Sequence, residues 1–515
     1  MKTNRLCTAT FTAILALFIC LGCTKDFEEI NTDKLVIAEL NPARIGNMYA
    51  LVQYNGFFII YPQVPQNLFA DHYCQYFANI QPAFPTDRYV LVGGWLDGTW
   101  KKFYFGAWAN LHDVLEATDP TNNPGFETRH ALAQILRVII YERMANYWGP
   151  IPYFHENINE TSVPYDSEED IYKSFFPTLD DALAILNANQ GGNAFGANDQ
   201  IYGGDIDQWI IFANTLRLRL AMRISGVEPA LAKTEAEKAV AAGVMTSNAD
   251  DALFQTTANS PNGMNRMIPW NEFRMSAAME SVLKGYNDPR MEHFFSPAVT
   301  DGEYRGLRNG YAVIDLNKEE LHFTNLSSMG PRWATVEQED SNPWEIMRSP
   351  EAYFLRAEGA LKGWNMSGTA EELYNKGIEM SMGCWGITDA AVIQAYQQST
   401  SLPDTTHDAP DPVSTIPVKF DASDDAVALE QIATQKWLGL YPDGWEAWAE
   451  LRRLDLPKMY PRMVSENPDV GVDEIMRRVQ FVMDEYTTNS AAVEDAIAKL
   501  GGPDKGSTRL WWDPE

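Results

Sequence analysis

The sequence predicts a mainly α-helical protein, with a tetratricopeptide-like helical-repeat scaffold and a loop-rich, irregular subregion that binds ligand. Three observations favour this fold class. Apolar side chains recur at the helical period through much of the chain, one helix alternates small and aromatic residues as tetratricopeptide units do, and two long segments lack any period. The same apolar stripes also fit a generic helical bundle.

The first 22 residues are predicted to be a processing segment. Lys2 and Arg5 precede an uncharged run, 11–20, which is shorter than the roughly 20 apolar residues of a membrane-spanning helix. The run ends at Leu21-Gly22-Cys23, which resembles the lipobox of bacterial lipoproteins, so Cys23 is the expected lipidated amino terminus. Because Cys20 replaces the usual lipobox leucine, an ordinary secretory signal cleaved near Gly22 is the alternative. Residues 23–40 then form an acidic tether, and 41–515 a single helical domain.

Helical stripes follow one another along this domain. They cover 100–115, 132–139, 171–186 and 209–224, and two later segments, 435–440 and 473–482, are predicted to mark the last helices. Trp100 belongs to the first stripe. The second helix is expected to end at Trp148-Gly149-Pro150, because glycine can cap a helix and proline cannot continue it.

One helix pair carries the repeat pattern. A first helix over 353–360 is followed by a second with Ala370, Tyr374 and Gly377. Small residues at this spacing let neighbouring helices approach, as in the second helix of a tetratricopeptide unit.

Two segments are predicted to be loop-rich insertions, near 225–349 and 399–424, where Gly, Pro and Asn replace the helical period. Within the first, 259–270 and 302–333 are expected to be long loops. Loops on a rigid scaffold are where binding groups tend to lie.

Composition excludes some classes of partner. The 515 residues carry a formal net charge of −30, and removing residues 1–22 takes away Lys2 and Arg5, which leaves −32. Such acidity argues against nucleic acid, whose phosphates are bound by Lys and Arg. After the signal and Cys23 are set aside, only Cys74 and Cys384 remain, too few for a disulfide framework.

No motif indicates an enzyme. The chain has no His-Glu-x-x-His, no Gly-x-Ser-x-Gly, no phosphate loop and no dinucleotide fingerprint, and its histidines lack metal-ligand spacing. We therefore predict no catalytic residue, no metal and no cofactor. The 70 acidic residues leave a glycosidase-like pair of carboxylates open.

Several motifs, taken in order, resemble a known family. They are Asn146-Tyr147-Trp148-Gly149-Pro150-Ile151-Pro152-Tyr153, Phe212-Ala213-Asn214-Thr215-Leu216-Arg217, Phe354-Leu355-Arg356-Ala357-Glu358, Asp443-Gly444-Trp445-Glu446-Ala447-Trp448 and Leu510-Trp511-Trp512-Asp513. Together they resemble the SusD/RagB family of nutrient-binding outer-membrane lipoproteins over essentially the whole chain. The resemblance implies a lipid-anchored protein at the cell surface that binds an oligosaccharide, glycan or glycopeptide. It also implies a TonB-dependent outer-membrane transporter as partner, and no enzymatic activity.

Candidate ligand-binding residues lie in three loop segments that mix aromatic planes with polar groups, as sugar binding requires. They are Arg88, Tyr89 and Trp95 in the first, Asn265 and Trp270 in the second, and Tyr304 and Trp333 in the third. The resemblance places sugar-stacking residues near Trp95, which is the leading candidate. The alternative is that these aromatics fasten loops to the body.

Other motif residues are predicted to be structural. Arg217, Arg219, Arg223 and Arg356 are expected to pair with carboxylates, and Trp511 and Trp512 to hold the carboxyl-terminal tail against the core. Two other functions stay open: a helical-repeat scaffold that holds an outer-membrane complex without binding nutrient, and, less favoured, a secreted hydrolase.

Overall fold

The computed structural model describes residues 42–155 and 162–514, and in this part of the chain α-helices form most of the regular structure. Contacts divide the chain into two units, Met1–Ile45 and Gly46–Glu515. Cys23, the predicted signal segment and the tether lie outside the described residues.

The helices of the described residues, numbered in chain order, are α1 (Pro42–Gly56), α2 (Gly93–Lys101), α3 (Ala109–Thr118), α4 (Glu127–Trp148), α5 (Glu168–Asn187), α6 (Ile206–Arg223), α7 (Pro229–Ala242), α8 (Gly263–Met267), α9 (Ala277–Gly285), α10 (Met291–Phe294), α11 (Ser349–Leu361), α12 (Ala370–Gly383), α13 (Ala390–Gln397), α14 (Asp425–Leu440), α15 (Gly444–Leu454), α16 (Met483–Thr488) and α17 (Ser490–Leu500). A π-helical turn, Lys102–Trp108, joins α2 to α3. Another π-helical segment spans Gln63–Asp71.

The described part of the chain has six short strands, which pair two by two. They are β1 (Phe77–Asn79), β2 (Ala252–Phe254), β3 (Phe273–Met275), β4 (Phe295–Ser296), β5 (Ser328–Met329) and β6 (Trp344–Met347). β1 pairs with β3, β2 with β6 and β4 with β5, each antiparallel. These pairs tie loops to the helical body and form no continuous sheet.

Four pairs of consecutive helices make up the scaffold of the described residues: α4 with α5, α6 with α7, α11 with α12, and α14 with α15. Successive pairs also touch, since α5 packs on α6 and α11 contacts both α6 and α14. Each repeat therefore buries its apolar face against its neighbour, which is the packing of tetratricopeptide-like scaffolds. The predicted fold class is confirmed.

The predicted repeat helix shows how the pairs approach. Gly377 of α12 faces the ring of Phe354 of α11, and Tyr374 is fully buried and donates its hydroxyl to the carbonyl of Val418, at 2.6 Å. The small residue at 377 thus sets the distance between the two helices.

Buried ion pairs join the helix pairs to one another. Arg219 of α6 donates two hydrogen bonds of 2.6 Å to Glu351 of α11, and Arg223 of α6 contacts Glu446 of α15 at 2.5 Å. Arg217 pairs with carboxylates on α5 and α7. The prediction of structural arginines is confirmed for these three residues.

Arg356 departs from that prediction. Its guanidinium donates to the carbonyls of Met366 and Ser367, at 3.0 and 3.3 Å, because these carbonyls follow the end of α11 and need donors. The carboxylate of Glu358, which lies nearby in sequence, pairs with Arg453 instead.

Two predictions of secondary structure are wrong. Residues 473–482 form no helix; they are irregular, with Arg478 donating to the carbonyl of Trp148, and α16 and α17 follow them. α7 lies inside the segment 225–349 that was expected to lack helical period. The stripe of α7 is weak because the side chains it buries include three alanines, Ala232, Ala236 and Ala239.

The carboxyl-terminal tail is held as predicted. The ring of Trp512 is fully buried, 5.0 Å from the guanidinium carbons of both Arg223 and Arg452. The backbone N–H of Trp511 donates to Glu168 at 2.8 Å. In the described residues, none of the helices has both the length and the apolar character needed to cross a membrane.

Candidate functional site

The candidate site lies at one end of the β1–β3 pair. Beyond the last paired residues, Asn79 and Phe273, the backbone N–H of Ile80 donates to the carbonyl of Glu272 at 3.0 Å. The loop that follows β1 and the loop that precedes β3 therefore leave the sheet side by side. Two of the three segments predicted from the sequence meet here.

Asp87 ties the third segment to the same place. Its carboxylate accepts from the backbone N–H of Asn79 at 3.0 Å, from Asn309 Nδ2 at 2.7 Å and from the backbone N–H of Gly310 at 3.1 Å. Arg462 adds a fourth donor at 3.2 Å. A buried carboxylate with this many donors holds two loops in one geometry, because leaving any donor unpaired is costly.

Arg88 and Tyr89, two of the predicted ligand contacts, are each only 3% exposed. Arg88 Nε donates to Glu466 at 2.7 Å, and the Tyr89 hydroxyl donates to the carbonyl of Glu474 at 2.7 Å. The guanidinium of Arg462 covers the Tyr89 ring at 4.0 Å. Both side chains therefore fasten the turn to the body and present no surface to a ligand in this structure.

Trp95 lies within the first turn of α2 and not in the loop that precedes it. Its ring is partly exposed and meets the edges of Phe84 at 5.7 Å and Phe69 at 6.5 Å. Trp100, assigned to the helical stripe, is 6% exposed as expected. The start of α2 holds the backbone of Trp95 in place. Phe84 and Phe69 hold the side chain of Trp95.

Trp270 is the most exposed of the predicted residues, at 54%. It ends a short 3-10 helix, and the next residue, Asn271, accepts a hydrogen bond of 2.7 Å from Arg274. The guanidinium of Arg274 also lies 5.4 Å from the ring of Phe323, which is 37% exposed. Phe323 was not singled out from the sequence, although it is an aromatic residue in a predicted loop.

The second and third segments also supply buried residues. Asn265 is fully buried and donates to the carbonyls of Arg332 and Thr335, at 3.2 and 2.9 Å. Trp333 is fully buried and packs on Trp385, with ring centroids 5.7 Å apart. These two residues fasten loops to the body, which is the alternative considered for every candidate.

Tyr304 stands apart from the others. It is half-buried, and burial, followed by the nearby carboxylate of Glu292, raises the pKa of its hydroxyl. Within the described residues, no ring contact or hydrogen bond joins Tyr304 to Trp95 or Trp270. The structure therefore does not bring all seven candidates together.

We use the name aromatic face for two groups of aromatic side chains on the loops around the β1–β3 pair. Phe84 and Trp95 contact each other, and Trp270 and Phe323 lie on either side of the Arg274–Asn271 hydrogen bond. Polar groups border this face: Gln63 Nε2 donates to Glu272, and Asn79 Nδ2 donates to the carbonyls of Gln81 and Phe84 at 2.7 and 2.8 Å. Burial raises the pKa of the Glu272 carboxyl. Aromatic planes beside amides and carboxyls can stack on the apolar faces of sugars and bond their hydroxyls.

One group in the described residues has the proximity that a metal ion requires: His112, Asp113 and Glu116, whose ligand atoms lie within 4.8 Å of one another. They belong to a single stretch of α3 and offer three ligand atoms, fewer than the four of a structural zinc site. We assign no metal to this group.

The comparison with protein families decides which family this is. A family model described as the SusD-like, Susd and RagB outer membrane lipoprotein family matches residues 26–513. The chain belongs to the SusD-like family. Membership implies a nutrient-binding outer-membrane protein, and SusD-like proteins are binding proteins and not enzymes.

Solved structures agree with this assignment. A chitin-binding SusD homolog from Flavobacterium johnsoniae is 35% identical, with a TM-score of 0.83 over 92% of this chain and 99% of that one. A SusD-like protein from Bacteroides thetaiotaomicron is 33% identical, with a TM-score of 0.81 over 91% and 99%. A SusD homolog from Bacteroides vulgatus is 30% identical, with a TM-score of 0.82 over 91% and 97%. No curated protein sequence matches this chain.

The SusD-like assignment covers the whole described body, including the loops that form the aromatic face. The predicted family is therefore confirmed. The individual ligand contacts stay predictions, with Trp95, Trp270 and Tyr304 the candidates whose side chains are not buried.

Proposed function

We propose that this protein captures an oligosaccharide at the cell surface through the aromatic face and delivers it to a TonB-dependent transporter. The lipid on Cys23 would keep the receptor at the outer membrane beside that transporter. Several acyl chains suffice for this, since each buried methylene contributes about 0.8 kcal/mol.

The observation that carries the binding proposal is the exposure of Trp270. An indole that is 54% exposed leaves a large apolar area in water, although its neighbours Asn271 and Arg274 are fixed by a hydrogen bond of 2.7 Å. Exposed aromatic groups on an ordered surface mark interaction sites more often than they serve stability. A pre-positioned ring also loses little entropy when it stacks on a sugar.

The ligand class follows from chemistry and from one relative. The face combines aromatic planes with Gln and Glu side chains and carries no cluster of Lys or Arg that would favour a polyanion. The Flavobacterium johnsoniae relative is described as chitin-binding. Chitin oligosaccharides are therefore the first ligands to test, ahead of other neutral glycans and glycopeptides.

Calorimetric titration of the purified mature protein with chitohexaose, maltohexaose and xylohexaose tests the binding proposal. We expect at least one of them to bind and a Trp95→Ala/Trp270→Ala variant to bind it at least tenfold more weakly. If no glycan binds, alone or with the transporter present, the proposal is wrong.

The anchor and the partner need their own tests. Labelling of cells with an azido fatty acid should mark the wild type and leave Cys23→Ala unlabelled. A TonB-dependent transporter should co-purify with the protein from outer membranes. If the double tryptophan variant still co-purifies with the transporter but the cells lose glycan uptake, the result supports a receptor. If glycan uptake is unchanged, the result favours the scaffold alternative.

A further inference from the structure

A separate cavity, which none of the aromatic-face residues lines, lies between two loop segments. Its volume is about 150 Å³, and its walls come from the loop that contains Leu307 and Leu326 and from the insertion that contains His407 and Asp408. The apolar residues beneath it also pack with Ala78 of β1 and with Ile80. The cavity therefore rests on β1, the strand from which one loop of the aromatic face leaves.

The floor of the cavity is apolar and its rim is charged. Leu307, Leu321 and Leu326 are each at least 92% buried, and the ring of Tyr311 stands beside them. Lys318 and Glu320, by contrast, are exposed at the rim. A ligand for this cavity needs an apolar face with hydrogen-bond donors and acceptors around its edge.

The walls are held in place by hydrogen bonds to carboxylates. Asp408 accepts from the backbone N–H of Arg308 at 2.6 Å and from the Tyr311 hydroxyl at 2.5 Å. The backbone N–H of Gly306 donates to Glu280 at 2.7 Å. The cavity is therefore formed before any ligand arrives, which lowers the entropic cost of binding.

Size limits what can enter. A cavity of about 150 Å³ holds one benzene-sized ring, whereas drug-sized ligands need roughly 300 to 1,000 Å³. A six-membered ring with an apolar face and polar substituents around its edge is a pyranose. A glycan could enter with one residue only, at a chain end or as a single-residue branch.

We propose that this cavity is a second glycan site that binds one terminal or branching pyranose residue, beside the aromatic face that binds the chain. The inference rests on the proposed function, since it assumes a glycan ligand. It adds that the protein distinguishes chains by an end or a branch, which stacking on a flat surface cannot do.

The test uses the purified full-length protein in detergent and three single sugars, N-acetylglucosamine, glucose and galactose, with leucine as a ring-free comparison. Saturation-transfer NMR should show one of the sugars binding to the wild type. Leu326→Phe, which fills the cavity, should weaken that binding at least tenfold, and Lys318→Ala/Glu320→Ala, on exposed positions, should weaken it as well. Glu319→Ala, at the neighbouring position outside the cavity wall, is the matched control and should bind like the wild type.

The two proposals fail differently. If the wild type binds hexasaccharides but no single sugar, or binds a sugar that both cavity variants still bind equally well, the second site is wrong and the aromatic face stands. Binding of leucine in place of the sugars also overturns the second site. If neither hexasaccharides nor single sugars bind, both proposals are wrong.

Discussion

Gly377 of α12 lies so close to Phe354 of α11 that a Cβ atom at position 377 would be 2.6 Å from Cε1 of the ring. Because this ring is buried on all sides, it has no free space into which to move. We expect Gly377→Ala to lower the free energy of unfolding by about 1–3 kcal/mol, the usual cost of overpacking. Urea unfolding measures this change.

Gly98 is the matched control for that substitution. It lies in α2, is exposed, and has open space where a Cβ would be added. Gly98→Ala should leave stability unchanged or raise it by roughly 0.5–1 kcal/mol, since alanine favours the helix. Equal effects of the two substitutions would show that packing against Phe354 is not the cause.

Removing one partner of the buried pair Arg219–Glu351 should be more costly. Arg219→Met leaves Glu351, which is 1% exposed, without its two hydrogen bonds. We expect a loss of about 3–5 kcal/mol. Lys173→Met, which breaks surface pairs with Glu169 and Glu228, should cost only about 1 kcal/mol. Chemical denaturation of both variants tests the difference.

The buried carboxyl of Glu168 should make the stability of the protein depend on pH. Burial raises the pKa of this carboxyl from 4.5 to about 8. Below pH 4.5 the group is protonated in folded and unfolded chains alike, and its contribution to stability is complete. As the pH rises to 8, the unfolded chain releases the proton first, so this contribution is lost.

The variant Glu168→Gln removes that titration. Relative to the variant, the wild type should lose up to about 1.4 kcal/mol of stability per pH unit between pH 5 and 8. Glu169→Gln, at the neighbouring and more exposed position, should follow the wild type. Unfolding curves recorded at pH 5, 6, 7 and 8 test the role of Glu168. If the free energy of unfolding changes with pH equally in the wild type and in Glu168→Gln, this prediction is wrong.

Asp87 should control the order of the loops around the aromatic face. Asp87→Ala deprives the backbone N–H groups of Asn79 and Gly310 of their acceptor. We expect faster hydrogen exchange at these two amides and weaker glycan binding, even though Asp87 itself is buried. Asp119→Ala, at the end of α3, is the control. Unchanged exchange at Asn79 and Gly310 would show that the loops are held by other contacts.

Trp270 should contribute directly to glycan affinity. We expect Trp270→Ala to weaken binding of the best hexasaccharide by roughly 1–3 kcal/mol, comparable to other aromatic stacking contacts. Phe154, which is 46% exposed, is a matched aromatic control, and Phe154→Ala should bind like the wild type. Calorimetry measures both; equal losses would place the binding surface elsewhere.

Much of the fold could be predicted from the sequence because the pattern that marks a helix, apolar residues at the helical period, lies within one short segment. The stripes that became α4, α5, α6 and α11 carry large apolar residues at the helical period, and their ends carry recognisable stop signals such as Gly149-Pro150. The pattern failed for α7, where alanines replace large side chains, and for 473–482, where buried residues such as Val479 and Phe481 lie in irregular backbone.

The candidate site could be predicted only in part. Sequence composition identified the loops that carry it, because Gly, Pro and Asn mark irregular backbone and aromatics among them are conspicuous. It could not separate the exposed Trp270 from the buried Trp333, since both are tryptophans in loops. Exposure depends on which residues distant in sequence pack against each ring.

The sequence by itself determined the helical class, the family resemblance and the predicted anchor at Cys23, because these depend on periodicity and on motifs of adjacent residues. The tertiary structure alone decided that Asp87 bonds to Asn309, 222 residues away, that Arg88 and Tyr89 serve the scaffold, and that Phe323 lies beside Arg274. The physical reason is that burial and hydrogen-bond partners are properties of contacts between distant segments, which no local pattern encodes.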